Sequence, residues 1–248
     1  MKEEFVHKNV QFNCRIDNNI NCFKSIPKDM KQLIIYCHNL GSDCTWALRF
    51  NEELYNNKVG IISFDLPGHG LDNTNFKKFN LNLCLNYLNT VINYVKRTYP
   101  DIKINLLGSC FGSYLILNRL IRNIERFNSI LLMNPCVNII DFFQKEHNLT
   151  LDYYNNNEYR MLYGNVKLYK NTYLDFIEND VFDNKKIIRN NNIFVIHGEE
   201  DRTIDITVSE QFCNNLNIPL TRVSNAPHEF YSYLNQVNKF IFDKINNS

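Results

Sequence analysis

Short apolar segments rich in β-branched residues alternate along the chain with longer amphipathic segments. This alternation is typical of a mainly parallel sheet that is covered by helices on both faces. Only three residues separate the first two apolar segments, which predicts an antiparallel hairpin at the start of the sheet. The eight predicted strands are residues 10–16, 20–23, 33–37, 59–64, 102–107, 129–133, 193–196 and 220–223.

Between the strands, apolar residues recur at spacings of three and four, as the buried face of a helix requires. This pattern predicts helices at residues 81–95, 111–121 and 230–245. The segment 137–188 is too long for a simple connection, and it contains clustered aromatic residues but no strand of the regular series. We expect it to form a helical cap, inserted after the sixth strand of a single domain (1–248) whose core comprises residues 1–136 and 189–248.

Residues 108–112 read Gly-Ser-Cys-Phe-Gly, directly after a predicted buried strand and at the start of a predicted helix. A nucleophile in such a turn has a strained backbone, and the residues two positions before and after it must be small. The two glycines meet this requirement, and the central position belongs to Cys110, not to Ser109. The helix N-terminus beside it favours an anion and therefore a thiolate. Cys110 is the candidate nucleophile.

With four further segments, this turn resembles the α/β-hydrolase superfamily over nearly the whole chain. Residues 38–41 (His-Asn-Leu-Gly) resemble the family's His-Gly-x-Gly oxyanion loop, with Asn39 where glycine is usual. Residues 65–70 (Asp-Leu-Pro-Gly-His-Gly) resemble a structural turn of the family. Residues 197–201 (His-Gly-Glu-Glu-Asp) resemble the segment that carries the catalytic acid, and residues 227–230 (Pro-His-Glu-Phe) the turn that carries the histidine. The order nucleophile, acid, histidine is the family's.

The resemblance implies an α/β-hydrolase fold with a catalytic triad of Cys110, His228 and Asp201. In these roles His228 takes the thiol proton, Asp201 fixes the tautomer of the imidazole, and the backbone N–H groups of Leu40 and Phe111 receive the oxyanion. The expected reaction, similar to that of short-cap carboxylesterases, is cleavage of a carboxylic ester or thioester through an acyl-cysteine intermediate.

Two alternative functions stay open. A cysteine at the centre of the turn resembles dienelactone hydrolases and certain acyl-transferring thioesterase domains, and an acyl-cysteine exchanges readily with thiols and amines. The first alternative is therefore an acyltransferase or thioesterase that acts on a carrier-bound acyl group. The second is a weak or inactive member of the fold that binds a ligand, because a lone Gly-x-Cys-x-Gly is often a buried core cysteine beside a turn.

Substrate contacts are expected from the oxyanion loop and from the cap. His38 and Asn39 are the candidates in the loop, although the alternative role of His38 is hydrogen bonding within that loop. Tyr153, Tyr154 and Tyr159 are the candidates in the cap, since caps in this position commonly form the roof of the pocket.

The 27 Lys+Arg and 26 Asp+Glu residues of the 248-residue chain nearly cancel, and no basic stripe occurs. The sequence thus favours a small-molecule acyl substrate over nucleic acid or membrane as the partner. It contains no signal-peptide pattern and no apolar stretch of the roughly 18 residues that a spanning helix needs. The eight cysteines and six histidines lack metal-ligand spacing. We expect a soluble, cytoplasmic enzyme without metal or cofactor.

Overall fold

The computed structural model describes residues 10–17, 19–188 and 192–247. The strands in this part of the chain are β1 (Gln11–Ile16), β2 (Ile20–Ser25), β3 (Gln32–Cys37), β4 (Val59–Phe64), β5 (Lys103–Ser109), β6 (Ser129–Met133), β7 (Tyr159–Met161), β8 (Lys167–Tyr169), β9 (Ile193–Gly198) and β10 (Leu220–Val223). The α helices are α1 (Leu48–Asn56), α2 (Leu81–Thr98), α3 (Phe111–Arg122), α4 (Ile139–His147), α5 (Lys170–Glu178), α6 (Ile206–Leu216) and α7 (Leu234–Asn246).

Eight strands form one sheet in the order β1-β2-β4-β3-β5-β6-β9-β10. β2 pairs antiparallel with β1 and β4, and every other pairing in this sheet is parallel. The predicted mostly parallel sheet, with a hairpin at its start, is thereby confirmed. In the register, Cys37 at the end of β3 pairs with both Phe64 of β4 and Gly108 of β5. The loops that follow these three strands therefore leave the same edge of the sheet.

Separate apolar layers cover the two faces of the sheet. Ile35 and Leu106 belong to the layer that contains α2, α3 and α6, whereas their neighbours Ile34 and Leu107 belong to the layer that contains α1 and α7. This division follows from the pleat, which directs successive side chains to opposite faces. Complete burial of one such aliphatic side chain contributes about 1.5–3 kcal/mol to folding. Helices on both faces are confirmed.

The predicted helices are present, and α7 begins later than its apolar pattern indicates. Phe230 has a φ of 55°, in the left-handed region, and a 3₁₀ turn at Tyr231–Tyr233 precedes the helix. The apolar periodicity continues through this turn, which is why the sequence alone placed the start of the helix at residue 230. No helix among the described residues has the length and apolarity that crossing a membrane requires.

The segment between β6 and β9 contains α4 and α5, and also a feature that the sequence did not predict. β7 and β8 pair antiparallel as a two-stranded sheet, separate from the main sheet. Each of these strands has three residues, which is too short for an alternating pattern to be recognised. The inserted segment is therefore helical with one small hairpin.

Candidate active site

The turn between β5 and α3 holds Cys110 in a strained conformation, with φ 49° and ψ −110°. A non-glycine residue rarely adopts a positive φ, and such strain persists only where the surroundings fix it. Two backbone hydrogen bonds do so here: the Cys110 N–H donates to Met133 O at 3.0 Å, and the Ser113 N–H donates to Cys110 O at 3.0 Å. The turn places the cysteine at the N-terminus of α3.

The two glycines of this turn are required by close backbone contacts. A Cβ atom on Gly112 would lie 2.0 Å from the Cys37 carbonyl oxygen, and one on Gly108 would lie 2.6 Å from the Ser113 nitrogen. Neither position tolerates a side chain without displacement of the backbone. The glycine spacing in the sequence thus has a steric origin in the packing of α3 against β3 and β5.

His228 and Asp201 come together at the same edge of the sheet as Cys110. His228 Nδ1 lies 2.6 Å from Asp201 Oδ2, and both side chains are buried. The other carboxylate oxygen of Asp201 accepts hydrogen bonds from the backbone N–H groups of Thr203 (2.8 Å) and Ile204 (2.9 Å). Because the carboxylate only accepts, His228 Nδ1 carries the proton. This tautomer leaves Nε2 free to accept a proton from a nucleophile.

His228 Nε2 is buried and has no hydrogen-bond partner within the part of the chain that the structure describes. Cys110 lies beside it. Burial by itself lowers the pKa of His228, but its electrostatic interactions with Cys110 and Asp201, together with its hydrogen bond to Asp201, outweigh burial and raise that pKa well above 6.5. The imidazolium form is therefore stabilised next to the sulfur.

Asp201 is held in its ionised form. Burial raises its pKa, but hydrogen bonds from His197 and His228 outweigh this effect, and the pKa of the carboxyl lies well below its usual value. His197 Nε2 lies 3.2 Å from Asp201 Oδ2. The carboxylate consequently stays charged at all pH values where the protein is expected to work.

Asn134, directly after β6, is a positioning residue that the sequence analysis missed. Its Nδ2 donates to the carbonyl oxygen of His228 at 2.5 Å, and its Oδ1 accepts from the Gly198 N–H at 2.9 Å. The side chain thereby ties the loop that bears His228 to the end of β9. Its only sequence signal is its place immediately after a strand that ends at the site edge.

The backbone N–H groups of Leu40, in the oxyanion loop, and of Phe111, at the start of α3, point towards the same position. The Asn39 side-chain oxygen occupies this point: Oδ1 accepts from Leu40 N at 2.7 Å and from Phe111 N at 3.4 Å. A carbonyl oxygen of the protein thus lies where a substrate oxyanion would accept the same two hydrogen bonds. Asparagine in place of the usual glycine at position 39 therefore supplies an oxygen that accepts both of these hydrogen bonds.

His38 does not line the cavity that lies beside His228. Its ring is fully buried, Nδ1 lies 2.7 Å from Asn39 O, and Nε2 accepts from the Leu66 N–H at 3.0 Å. Both ring nitrogens are thus engaged by the backbone, which leaves none for a substrate. The structure places His38 in the alternative role, as a residue that joins the oxyanion loop to the turn after β4.

A cavity of about 240 Å³ lies beside His228. Of the site residues predicted from the sequence, Asn39, Leu40 and His228 line it. The full lining is Tyr36, Asn39, Leu40, Gly41, Ser42, Trp46, Arg49, Ser109, Tyr163, Thr203, His228 and Glu229.

Tyr163 is the tyrosine that the inserted segment contributes to this cavity. The predicted substrate contacts Tyr153, Tyr154 and Tyr159 do not line it. The hydroxyl of Tyr154 donates to Leu168 O at 3.0 Å, and that of Tyr153 donates to Tyr159 O at 3.4 Å. These three residues therefore pack within the insertion, a result that depends on the unpredicted hairpin.

The insertion lies directly on the oxyanion loop. A Cβ atom on Gly41 would be 2.5 Å from Tyr163 O, and one on Gly164 would be 2.3 Å from Gly41 O. The Cys110 residue beneath is 0% exposed. The insertion therefore packs against the oxyanion loop, and the cysteine is closed off from solvent in this structure.

The turn after β4 is structural. Asp65 accepts hydrogen bonds from Cys44 N at 2.8 Å, Asn21 Nδ2 at 2.6 Å and Leu71 N at 2.9 Å. Asp43, Cys44 and Asp65 place possible metal-ligand atoms within 4.8 Å of one another. The carboxylate of Asp65 already accepts three hydrogen bonds from the surrounding segments, so the cluster is explained as a structural link between these loops.

A mainly parallel eight-stranded sheet, with a strained cysteine turn followed by an acid and a histidine in that order, defines an α/β hydrolase. The chain belongs to the family described as serine aminopeptidase, S33, which it matches over residues 28–170. The matched range includes Cys110 but ends before Asp201 and His228. A comparison with curated protein sequences gave no match.

Solved structures share this fold over almost the whole chain. Est1E from Butyrivibrio proteoclasticus, solved with ferulic acid, is 18% identical with a TM-score of 0.77, and the alignment covers 92% of this chain and 96% of Est1E. Mouse alpha/beta hydrolase domain-containing protein 10 is 15% identical with a TM-score of 0.74, with coverage of 96% and 98%. A soluble variant of monoglyceride lipase from Saccharomyces cerevisiae is 14% identical with a TM-score of 0.69, with coverage of 96% and 98%. At these identities the similarity shows the fold.

Proposed function

We propose that the protein hydrolyses carboxylic esters or thioesters of small acyl groups, with Cys110 as the nucleophile and an acyl-cysteine intermediate. The observation that carries this proposal is the placement of Cys110, in a strained turn, beside a histidine whose Nδ1 lies 2.6 Å from a buried carboxylate. Acyl transfer requires a nucleophile next to a base and an acid that orients the base, and these three groups follow one another here.

In the first step, the Cys110 sulfur attacks the carbonyl carbon of the substrate, and His228 Nε2 holds the thiol proton. Asp201 keeps the imidazole in the required tautomer. The N–H groups of Leu40 and Phe111 donate to the developing oxyanion once the Asn39 oxygen has left. The tetrahedral intermediate then breaks the bond between carbonyl carbon and leaving group, and His228 gives its proton to the leaving alcohol or thiol.

In the second step, water attacks the carbonyl carbon of the acyl-cysteine. His228 takes a proton from this water, and the same two N–H groups stabilise the second tetrahedral intermediate. Collapse of this intermediate breaks the carbon–sulfur bond, releases the carboxylic acid and restores Cys110 and His228.

Descriptions of the structural relatives agree with an acyl substrate. Est1E was solved with ferulic acid, which is a small carboxylic acid, and another relative is described as a monoglyceride lipase in complex with a substrate analog. A cavity of about 240 Å³ beside His228 accommodates a small acyl group.

The test is turnover of p-nitrophenyl esters of short acids by the wild type, Cys110→Ala and Cys110→Ser. We expect turnover by the wild type, loss of turnover in Cys110→Ala and partial activity in Cys110→Ser, because the hydroxyl can use the same histidine and oxyanion loop. Turnover by Cys110→Ala equal to that of the wild type would overturn the proposal.

The same assay separates hydrolysis from acyl transfer. With a primary amine or a thiol added as acceptor, hydrolysis predicts that the free acid remains the main product. An acylated acceptor as the main product would assign the protein as an acyltransferase that uses the same intermediate.

We also propose that residues 137–188 act as the cap of a single domain, with residues 1–136 and 189–248 as its core. Support comes from Tyr163, which lines the cavity, and from the contact of Gly164 with Gly41 of the oxyanion loop. In this arrangement the insertion sets the size of the acyl group that reaches Cys110.

A further inference from the structure

Three polar side chains from separate elements meet at the cavity beside His228. Tyr36 comes from β3, Arg49 from α1, and Ser109 from the last position of β5. Tyr36 is 0% exposed, and its hydroxyl lies beside Arg49 and Ser109. The distances and angles of these contacts are not those of a hydrogen bond, so the hydroxyl has no hydrogen-bond partner of good geometry among the described residues.

Among the described residues, no acidic side chain forms an ion pair with Arg49. Its guanidinium lies 4.7 Å above the Trp46 ring and 5.1 Å from the Phe50 ring, and Nη1 donates to the main-chain oxygen of Glu229 at 2.7 Å. Nε is buried without an acceptor, and no carboxylate in the described ranges lies within ion-pair distance of the guanidinium. The aromatic contacts hold the cation in place, but they leave it without a counter-ion.

Buried donors without acceptors are destabilising, and native proteins keep few of them. Two such donors, Tyr36 Oη and Arg49 Nε, border the same cavity as the candidate catalytic histidine. Burial raises the pKa of Tyr36, so its hydroxyl stays protonated and able to donate. A ligand with acceptor oxygens and a negative charge would satisfy both donors at once.

We infer that this cavity binds a carboxylate on the substrate, held by Arg49 with Tyr36 and Ser109 as additional donors. The substrate class is therefore a monoester or monothioester of a small dicarboxylic acid, with the second carboxylate left free. A carboxylate matches the planar fork of a guanidinium, which makes this the favoured anion. The inference rests on the proposed function, because the bound carboxylate orients the ester towards Cys110 and His228.

The first test is equilibrium binding to the Cys110→Ala protein, measured by isothermal titration calorimetry. The probes are monomethyl glutarate and dimethyl glutarate, which differ in one methyl group and one charge. We expect the monoester to bind about tenfold or more tightly than the diester, as a charge-assisted hydrogen bond would provide. Equal affinities would overturn the inference.

The second test identifies the residue that causes the preference for the monoester over the diester. It adds further substitutions to the Cys110→Ala protein. Arg49→Gln should reduce the preference for the monoester to within about twofold, and Arg49→Lys should keep part of it because the charge remains. Arg97→Gln is the matched control, since Arg97 pairs with Asp17 on the surface, and it should leave the preference unchanged. A preference that persists in Arg49→Gln would contradict the assignment.

Tyr36→Phe in the Cys110→Ala protein is a third test, and it does not require substitution of Arg49. Removal of an unpartnered hydroxyl should leave the unfolding temperature unchanged or higher, while monoester affinity falls by about threefold. Unchanged monoester affinity would remove Tyr36 from the site.

Failure of this inference and failure of the proposed function give different results. Ester turnover through Cys110 with no preference for the free carboxylate overturns the carboxylate site alone. Selective monoester binding without any acylation of Cys110 in the wild type overturns the hydrolase and leaves the binding site standing.

Discussion

The side-chain oxygen of Asn39 accepts a hydrogen bond from the backbone N–H of Phe111 at 3.4 Å. The same oxygen accepts from the N–H of Leu40 at 2.7 Å. Both donors belong to the proposed oxyanion site, so a substrate must displace Asn39 before its own carbonyl oxygen can bind. The side chain thus competes with the transition state for the groups that stabilise it.

Replacement of Asn39 by glycine, the usual family residue, should therefore increase kcat/KM. Since one or two hydrogen bonds no longer have to be broken, we expect an increase of about three- to tenfold. Steady-state kinetics with a short-chain p-nitrophenyl ester measures kcat/KM for the variant and the wild type.

Asn39→Asp is the matched control because it preserves the shape of the side chain. A carboxylate would bind both N–H groups more strongly and would repel the oxyanion, so kcat/KM should fall by about a hundredfold. Equal activity in the two variants would show that position 39 does not compete for the site.

The kcat/KM should depend on pH and should fall on the alkaline side of the profile. Cys110 and Asp201 raise the pKa of His228 well above 6.5, so the imidazolium persists through neutral pH and is lost only as pH rises through this higher value. On the acid side Asp201 stays ionised because its pKa is depressed, so protonation of this carboxylate does not limit activity. A flat profile from about pH 5 to 9 would contradict the pairing of thiol and imidazole.

NMR titration of His228 provides a separate check on this pairing. In Cys110→Ala the interactions of the imidazole with the sulfur are absent, so the pKa of His228 should be lower than in the wild type. An equal pKa in the two proteins would show that Cys110 does not act on His228.

Asp201→Asn should retain the fold and lose most of the activity. An asparagine can still hydrogen bond to the imidazole, but it no longer selects the tautomer with the proton on Nδ1 or stabilises the imidazolium. For a triad of this kind we expect kcat to fall by about a hundredfold or more. Circular dichroism should show unchanged secondary structure, and an unchanged kcat would exclude Asp201 as the orienting acid.

Gly112→Ala should destabilise the protein by about 3 kcal/mol or more, because the new Cβ would lie 2.0 Å from a backbone oxygen of β3. Gly60→Ala is the control, since its Cβ would meet the flexible end of Met30 at 2.5 Å, and it should change stability by less than about 1 kcal/mol. Urea unfolding measures both free energies. Equal effects would refute the steric role of Gly112.

Local patterns explain why so much of the fold could be predicted from the sequence. The strand at Val59–Phe64 is buried along its whole length and mostly apolar because the sheet is covered on both faces. The turn at Cys110 was recognisable because its two glycines are fixed by contacts that every such turn needs. The apolar run and the glycine spacing each extend over only a few residues and are therefore visible in the sequence, even though the contact that requires Gly112 is with the distant Cys37.

The remaining parts of the site depend on contacts between distant segments. Tyr163, not Tyr154, reaches the cavity because two three-residue strands fold the insertion back on itself. Tyr36 and Arg49 resemble ordinary residues of a strand and a helix, and their unpaired donors are evident only when β3 and α1 are packed together. The orientation of the Asn39 side chain is likewise set by Phe111, which is 72 positions away.

The most direct test of Cys110 as the nucleophile is intact-mass spectrometry of the wild type after rapid mixing with an activated ester. We expect a mass increase of one acyl group, lost on treatment with hydroxylamine at neutral pH and mapped to the peptide that contains Cys110. The Cys110→Ala protein should show no such adduct. An unmodified wild type, or an adduct on another residue, would contradict the acyl-cysteine mechanism.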